Sequence, residues 1–125
     1  VVACAATPCQ YAALEALRGP QDYVDYMVSQ YKERRDIIVE KLNEIPGISC
    51  KKPKGTFYAF ANIKGTGMSS VDFAMKLLEE KQVVIVPGTA FGDSGEGYVR
   101  ISFATSKEEI AKGMELIKEF VLELN

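Results

Sequence analysis

The chain has 125 residues, a length suited to one domain with one hydrophobic core. Hydrophobic residues make up 47% and charged residues 26%, a balance that excludes a disordered chain. The net charge of −2 gives no electrostatic case for nucleic acid or an anionic membrane surface, and no apolar run approaches the roughly 20 residues of a membrane helix.

The chain opens on Val1-Val2-Ala3-Cys4-Ala5-Ala6, without the basic stretch and long apolar core of a signal peptide. It does not begin with Met and is expected to be a piece cut from a longer protein. Residues 7–18 predict a short helix, with Thr7 as N-cap and Pro8 at the first helical position. Ala12, Ala13, Leu14, Ala16 and Leu17 favour that helix, and Gly19-Pro20 ends it. A longer helix is predicted over 21–45. Its apolar line is Tyr23, Met27, Tyr31, Ile38, Leu42 and Ile45, broken only by the polar turn at Arg34-Arg35. Pro46-Gly47 stops it. The expected boundary lies at Gly19-Pro20: residues 1–20 end a neighbouring domain, and residues 21–125 form a domain of their own.

Residues 48–52 predict a short strand and Pro53-Lys54-Gly55 a turn. Thr56 to Ile63 predicts a strand, on its aromatic residues and β-branched start. After the loop Gly65-Thr66-Gly67, Ser69 and Asp72 resemble a capping box that opens a helix over 70–80, with Phe73, Ala74, Leu77 and Leu78 as its apolar face. Val83 to Val86 predicts a short buried strand stopped by Pro87-Gly88. A glycine-rich loop, 87–97, leads into a strand over 98–104, where Val99, Ile101 and Phe103 point one way and Tyr98, Arg100 and Ser102 the other. Ser106 and Glu109 form a capping box for a last helix over 107–123, with Ile110, Met114, Ile117, Val121 and Leu124 facing the sheet. This order predicts an α+β fold. A small, mostly antiparallel sheet of about three or four strands carries helices on one face and is preceded by a long helix.

There is no histidine, which excludes a His-based triad and leaves any metal site to Cys or carboxylate ligands; no metal site is predicted. Cys4, Cys9 and Cys50 have neither metal-ligand nor redox spacing, and an odd number makes a poor disulfide framework. A reducing, cytoplasmic location is therefore expected. Arg100 is the outstanding polar residue: a guanidinium in mid-strand, facing away from the helices, suited to a two-pronged grip on a carboxylate. A local salt bridge on an exposed strand is its other reading. The glycine loop lacks the P-loop lysine and the dinucleotide fingerprint, so a phosphate cradle there has no more support than a tight connection. Of Phe57 and Tyr58, one is expected to pack inward and the other to face the Arg100 side. No lysine has the apolar or cationic surroundings of a Schiff-base lysine.

Gly55-Thr56-Phe57-Tyr58, then Leu77-Leu78-Glu79-Glu80, Val83-Val84-Ile85-Val86-Pro87-Gly88-Thr89-Ala90-Phe91-Gly92, and Tyr98-Val99-Arg100-Ile101-Ser102-Phe103-Ala104, in that order, are similar to the C-terminal part of class I/II aminotransferases. These are pyridoxal-phosphate enzymes of fold type I, with aspartate aminotransferase as type member. Gln10 to Leu17 resembles the helix that ends the family's large domain, and helix 21–45 the one that bridges its large and small domains. The resemblance covers essentially the whole chain. It implies the small-domain fold of a homodimeric transferase of amino-acid metabolism. Arg100 would bind the substrate α-carboxylate, and Phe57 would border the substrate. The loop 87–92 would lie near the cleft mouth, and the segment around Cys4 to Cys9 near the dimer interface. The Schiff-base lysine, the aspartate on the pyridine nitrogen and the phosphate-binding residues lie upstream in the family, so no catalytic or cofactor-binding residue is expected in this segment. The parent would bind pyridoxal 5′-phosphate, the segment alone would not, and the parent's substrates would be an amino acid and a 2-oxo acid. The alternatives are another fold type I enzyme (a β-lyase, an acyltransferase or a cyclopropane-forming synthase), the ligand-sensing domain of a transcriptional regulator, and a free-standing binding domain.

Overall fold

The alanine-rich segment after Thr7 forms a helix because alanine and leucine lose little on adopting one. In the computed structural model, which describes residues 4–124, helix α1 spans Thr7–Arg18. Thr7 is not its cap. Ala6 takes the N-cap position without a side-chain hydrogen bond, and Pro8 sits one position into the first turn, where its missing N–H still costs nothing. Helix α2 spans Asp22–Asn43 and opens on Asp22 and Asp25, which complement the positive end of its dipole.

The chain divides after Gln30 into two compact units. In the first, none of residues 4–30 is buried; Tyr11, Leu17, Tyr23 and Tyr26 all stand exposed. The predicted apolar line of the long helix is therefore only half realised. Tyr23 and Met27 remain exposed, Tyr31 is half-buried, and only Ile38, Leu42 and Ile45 enter a core. The helix also stops two residues short of Ile45. At its end the Asn43 side chain pairs with Cys50 as a strand would, accepting from the Cys50 N–H at 2.9 Å and donating to its carbonyl at 3.0 Å.

The second unit contains a four-stranded sheet, with β1 at Ser49–Cys50, β2 at Tyr58–Asn62, β3 at Val86–Pro87 and β4 at Tyr98–Ser102. Spatial order is β1-β2-β4-β3, and every neighbouring pair is antiparallel. The strands are shorter than predicted. Thr56 has φ +68°, a left-handed conformation outside the strand region, so β2 begins only at Tyr58. The run Val83 to Val86 is not a buried strand. Gln82 ends helix α3 (Ser70–Lys81) in a left-handed conformation, Val84 is 76% exposed, and pairing starts only at Val86. Loop residues 64–66, 88–91 and 93–95 tighten into single 3₁₀ turns.

Alternation sorts the strand residues. Ala59, Ala61, Val99 and Ile101 are buried, as is Phe103 just beyond β4. They form one cluster with Ile38 and Leu42 of α2, with α3, and with helix α4 (Lys107–Glu123). Phe73 of α3 meets Phe120 of α4 edge-on, centroids 5.2 Å apart. The apolar faces differ in detail from expectation. Leu78 and Leu124 are exposed, and Phe120, which the pattern does not pick out, is fully buried together with Ile117. Both predicted N-caps form: Ser69 Oγ accepts from the Asp72 N–H at 3.1 Å, and Ser106 Oγ from the Glu109 N–H at 3.2 Å. At the second, Glu108 is the carboxylate held below its ordinary value, first by its own backbone N–H and then by the Ser106 hydroxyl.

Candidate functional site

Among the described residues of the second unit, no α-helix packs on the outer face of the sheet, and the residues of that face are set by register. Arg100 of β4 lies opposite Phe60 of β2 on one side and Val86 of β3 on the other, so the three share this face. Tyr58 and Tyr98 share it by the same alternation. The Arg100 guanidinium carbon sits 4.2 Å from the centroid of the Tyr58 ring and 4.4 Å from that of Phe91. Both distances are inside the range of cation–π attraction. From there a line of rings continues. Phe91 meets Phe60 at 6.4 Å, Phe60 stacks on Tyr98 at 5.2 Å with ring planes 8° apart, and Lys64 Nζ lies 5.3 Å over Tyr98.

Among the described residues, no hydrogen bond or ion pair joins the Arg100 guanidinium to a carboxylate or a carbonyl. The local salt bridge considered for it does not form. Its in-plane donors are left for a ligand. Arg100 also lines a trough of about 680 Å³ whose walls include Tyr58, Phe60, Tyr98, Asn43 and Lys51. No carboxylate lines this trough. Its chemistry is that of an anion grip on an aromatic floor, with the Asn62 side chain as a further amide donor on its wall. Among the described residues no group of three potential metal ligands gathers.

The two residues named from sequence separate here. Arg100 occupies the outer face. Phe57 does not touch it: its ring packs against Tyr58 at 4.4 Å and Tyr31 at 6.0 Å, while its carbonyl accepts from the Phe103 N–H at 2.9 Å. Tyr58 is the member of the pair that faces Arg100. Phe57 packs on Tyr58, and Thr56, left-handed, immediately precedes the two rings. A β-branched residue at positive φ is strained, and Thr56 lies on the trough wall.

Three contributors had no clear signal in the sequence. Phe91 was one residue of a glycine loop, yet the centroid of its ring lies 4.4 Å from the Arg100 guanidinium carbon. Ser70 is the one polar residue among the buried described residues. Its Oγ accepts from the Gly97 N–H at 2.8 Å and the Tyr98 N–H at 3.1 Å, fixing the start of β4. Glu96 accepts from the Ser70 N–H at 2.9 Å, placing a carboxylate at the N-terminus of α3. A serine directly after an N-cap serine was the only hint of such a role.

The family model for aminotransferase class I and II matches residues 2–117. The chain is 54% identical over 112 residues to an aspartate aminotransferase of Pyrococcus horikoshii, covering 88% of this chain and 29% of that protein. Among solved structures, an aromatic aminotransferase from Pyrococcus horikoshii superposes with a TM-score of 0.87 at 43% identity, over 91% of this chain and 31% of that one. An alanine aminotransferase from Pyrococcus furiosus superposes with a TM-score of 0.91 at 39% identity, over 96% and 31%. The chain thus spans less than a third of the length of these relatives.

Proposed function

The chain belongs to the aminotransferase class I and II family, and from that premise we propose that it is the C-terminal part of a pyridoxal-phosphate transaminase exchanging an amino group between an amino acid and a 2-oxo acid. In this reading Arg100 binds the substrate α-carboxylate and Phe57 borders the substrate through the ring of Tyr58. The observation that carries it is the half-buried guanidinium on the outer sheet face, its donors unclaimed and its surroundings free of carboxylate. A carboxylate common to amino acid and oxo acid is the anion such a fork holds through both halves of the reaction.

The cofactor does not fit the residues of this chain. It needs an enclosed amine as tether, an acid on its ring nitrogen and donors for its phosphate. The trough offers Lys51, which is exposed, and no acid. Lys81, whose ionisation is raised, is held charged by Glu123. When bound in the parent, the cofactor supplies the electron sink for transamination. This chain supplies the carboxylate grip, and closure of its domain would shed water from the cleft. Residues 1–20 would end the large domain and 21–125 form the small one; the exposed Tyr11 and Leu17 of α1 support a covering surface for that first part. The parent would be a homodimer serving amino-acid metabolism. Three free cysteines, one of them buried, support a cytoplasmic setting. No described helix is long and apolar enough to cross a membrane.

In the full-length protein, Arg100→Lys should lower the specificity constant for amino acid and oxo acid alike by about 10- to 100-fold, because a point charge cannot reproduce a bidentate fork. An unchanged specificity constant would show that Arg100 does not bind the carboxylate. Pyridoxal phosphate with borohydride should label no single lysine of the 125-residue chain in preference. A stoichiometric adduct on one lysine would contradict the absence of a cofactor site.

A further inference from the structure

We infer that Phe91 is a positioning residue for the substrate carboxylate: with Tyr58 it closes both faces of the Arg100 guanidinium, leaving only the edge to a ligand. The inference rests on the assignment of Arg100 as the carboxylate grip. All five guanidinium donors lie in one plane. With rings at 4.2 Å and 4.4 Å from the central carbon, an approach from above or below is blocked. A carboxylate must then enter in the plane, which is the geometry of two parallel N–H···O bonds. The rings also restrict a long side chain that no hydrogen bond ties down, so less freedom is lost when the ligand arrives.

The two rings are held differently. Tyr58 stands on β2, the sheet neighbour of β4. Phe91 comes from the loop between β3 and β4, and three features aim it. Gly88 and Gly95 press backbone to backbone, so closely that a Cβ on Gly88 would lie 2.2 Å from the Gly95 carbonyl oxygen and one on Gly95 2.0 Å from that of Gly88. Ser70 and Glu96 pin the far end of the loop to α3. Gly92 then reverses the chain immediately after Phe91 at φ +122° and ψ 163°, a conformation essentially confined to glycine. Phe91 itself is 52% exposed and belongs to no core cluster, so the fold does not require its ring.

Two measurements test the inference. In the 125-residue chain, the Arg100 Nε–H proton should resonate upfield through the two ring currents and move back in Phe91→Leu but not in Phe91→Tyr. A resonance unmoved by Phe91→Leu would overturn it. In the full-length transaminase, single-turnover reaction is compared for an amino acid and for the amine left when its carboxylate is removed. Phe91→Leu should lower the specificity constant for the amino acid by about 3- to 30-fold, leave that for the amine unchanged, and be rescued by Phe91→Tyr. An equal loss on both substrates, with Arg100→Lys still discriminating between them, would refute the role of Phe91 alone. No discrimination by Arg100→Lys would instead remove the assignment of Arg100.

Discussion

On β4, Val99 and Ile101 are 1% and 7% exposed, while Arg100 between them turns to the other face, where Phe60 is 42% and Phe91 52% exposed. One face of the sheet is covered by helices and filled with aliphatic side chains and edge-on Phe rings. The other is floored with aromatic rings and a cation, and among the described residues of the second unit no α-helix covers it. The same backbone serves both because alternate residues of a strand point to opposite faces. The inner face holds the fold by removing apolar surface from water. The outer face keeps its rings half in water, and their contacts with Arg100 orient a charged group more than they stabilise the chain.

Substitutions that sample both faces would break this contrast if it is wrong. The largest effect is expected at Phe120→Ala, a fully buried ring whose loss leaves a cavity: about 3–5 kcal/mol by urea denaturation. Ser70→Ala should cost about 1–3 kcal/mol, because it strands the Gly97 and Tyr98 N–H groups at the seam between the core and β4. Phe60→Ala on the outer face should cost no more than about 1 kcal/mol, the value of its ring contacts. A loss as large as that at Phe120 would mean the outer face belongs to the core after all. Arg100→Lys should change the stability of the chain by less than about 0.5 kcal/mol while weakening carboxylate binding in the parent, which separates recognition from folding at one position.

The smallest effects come from the exposed ion pairs behind the helices. Lys81 bridges to Glu123 at 2.7 Å, and the hydrogen bond to Glu123 raises its ionisation above the ordinary 10.5 against the opposing pull of desolvation. A raised lysine contributes stability that is whole below about pH 10 and is lost as pH climbs through the folded value. The melting-temperature difference between the wild type and Lys81→Met should therefore hold steady from neutral pH and shrink only in strong alkali. Asp36 has the opposite sign: Arg35 first, then Lys52, lower its carboxyl, so its contribution is present above the ordinary carboxylate range and fades as acid protonates it. Cys50, pushed up by burial, should react with iodoacetamide at neutral pH more slowly than exposed Cys9.

Much of this architecture is readable from local pattern. Period two in Val99-Arg100-Ile101 and capping residues before α3 and α4 are short-range signals, and each is present in the structure. The long helix shows where such signals stop. Tyr23, Met27 and Ile38 belong to one helical line, yet only Ile38 is buried, because burial depends on what packs against a face and not on the face itself. The run Val83 to Val86 carries every local mark of a strand, but pairing with β4 starts only at Val86, after the chain has left α3 through the left-handed turn at Gln82. At the site, Arg100 was recognisable as a guanidinium where an apolar strand needs none. Phe91 was not, since its contact with Arg100 depends on how Gly88, Gly92 and Gly95 fold the intervening loop.

The order of residues alone therefore determined the α+β class, the positions of four helices to within a residue or two, and the face on which Arg100 stands, because each follows from backbone periodicity and capping over a few neighbouring residues. Tertiary structure alone decided that Tyr58 and not Phe57 lies against that guanidinium, that Phe91 joins it there, and that a buried serine fixes the start of its strand. These are contacts between residues far apart in the chain. Register, loop closure and burial create them, and no local pattern encodes any of the three.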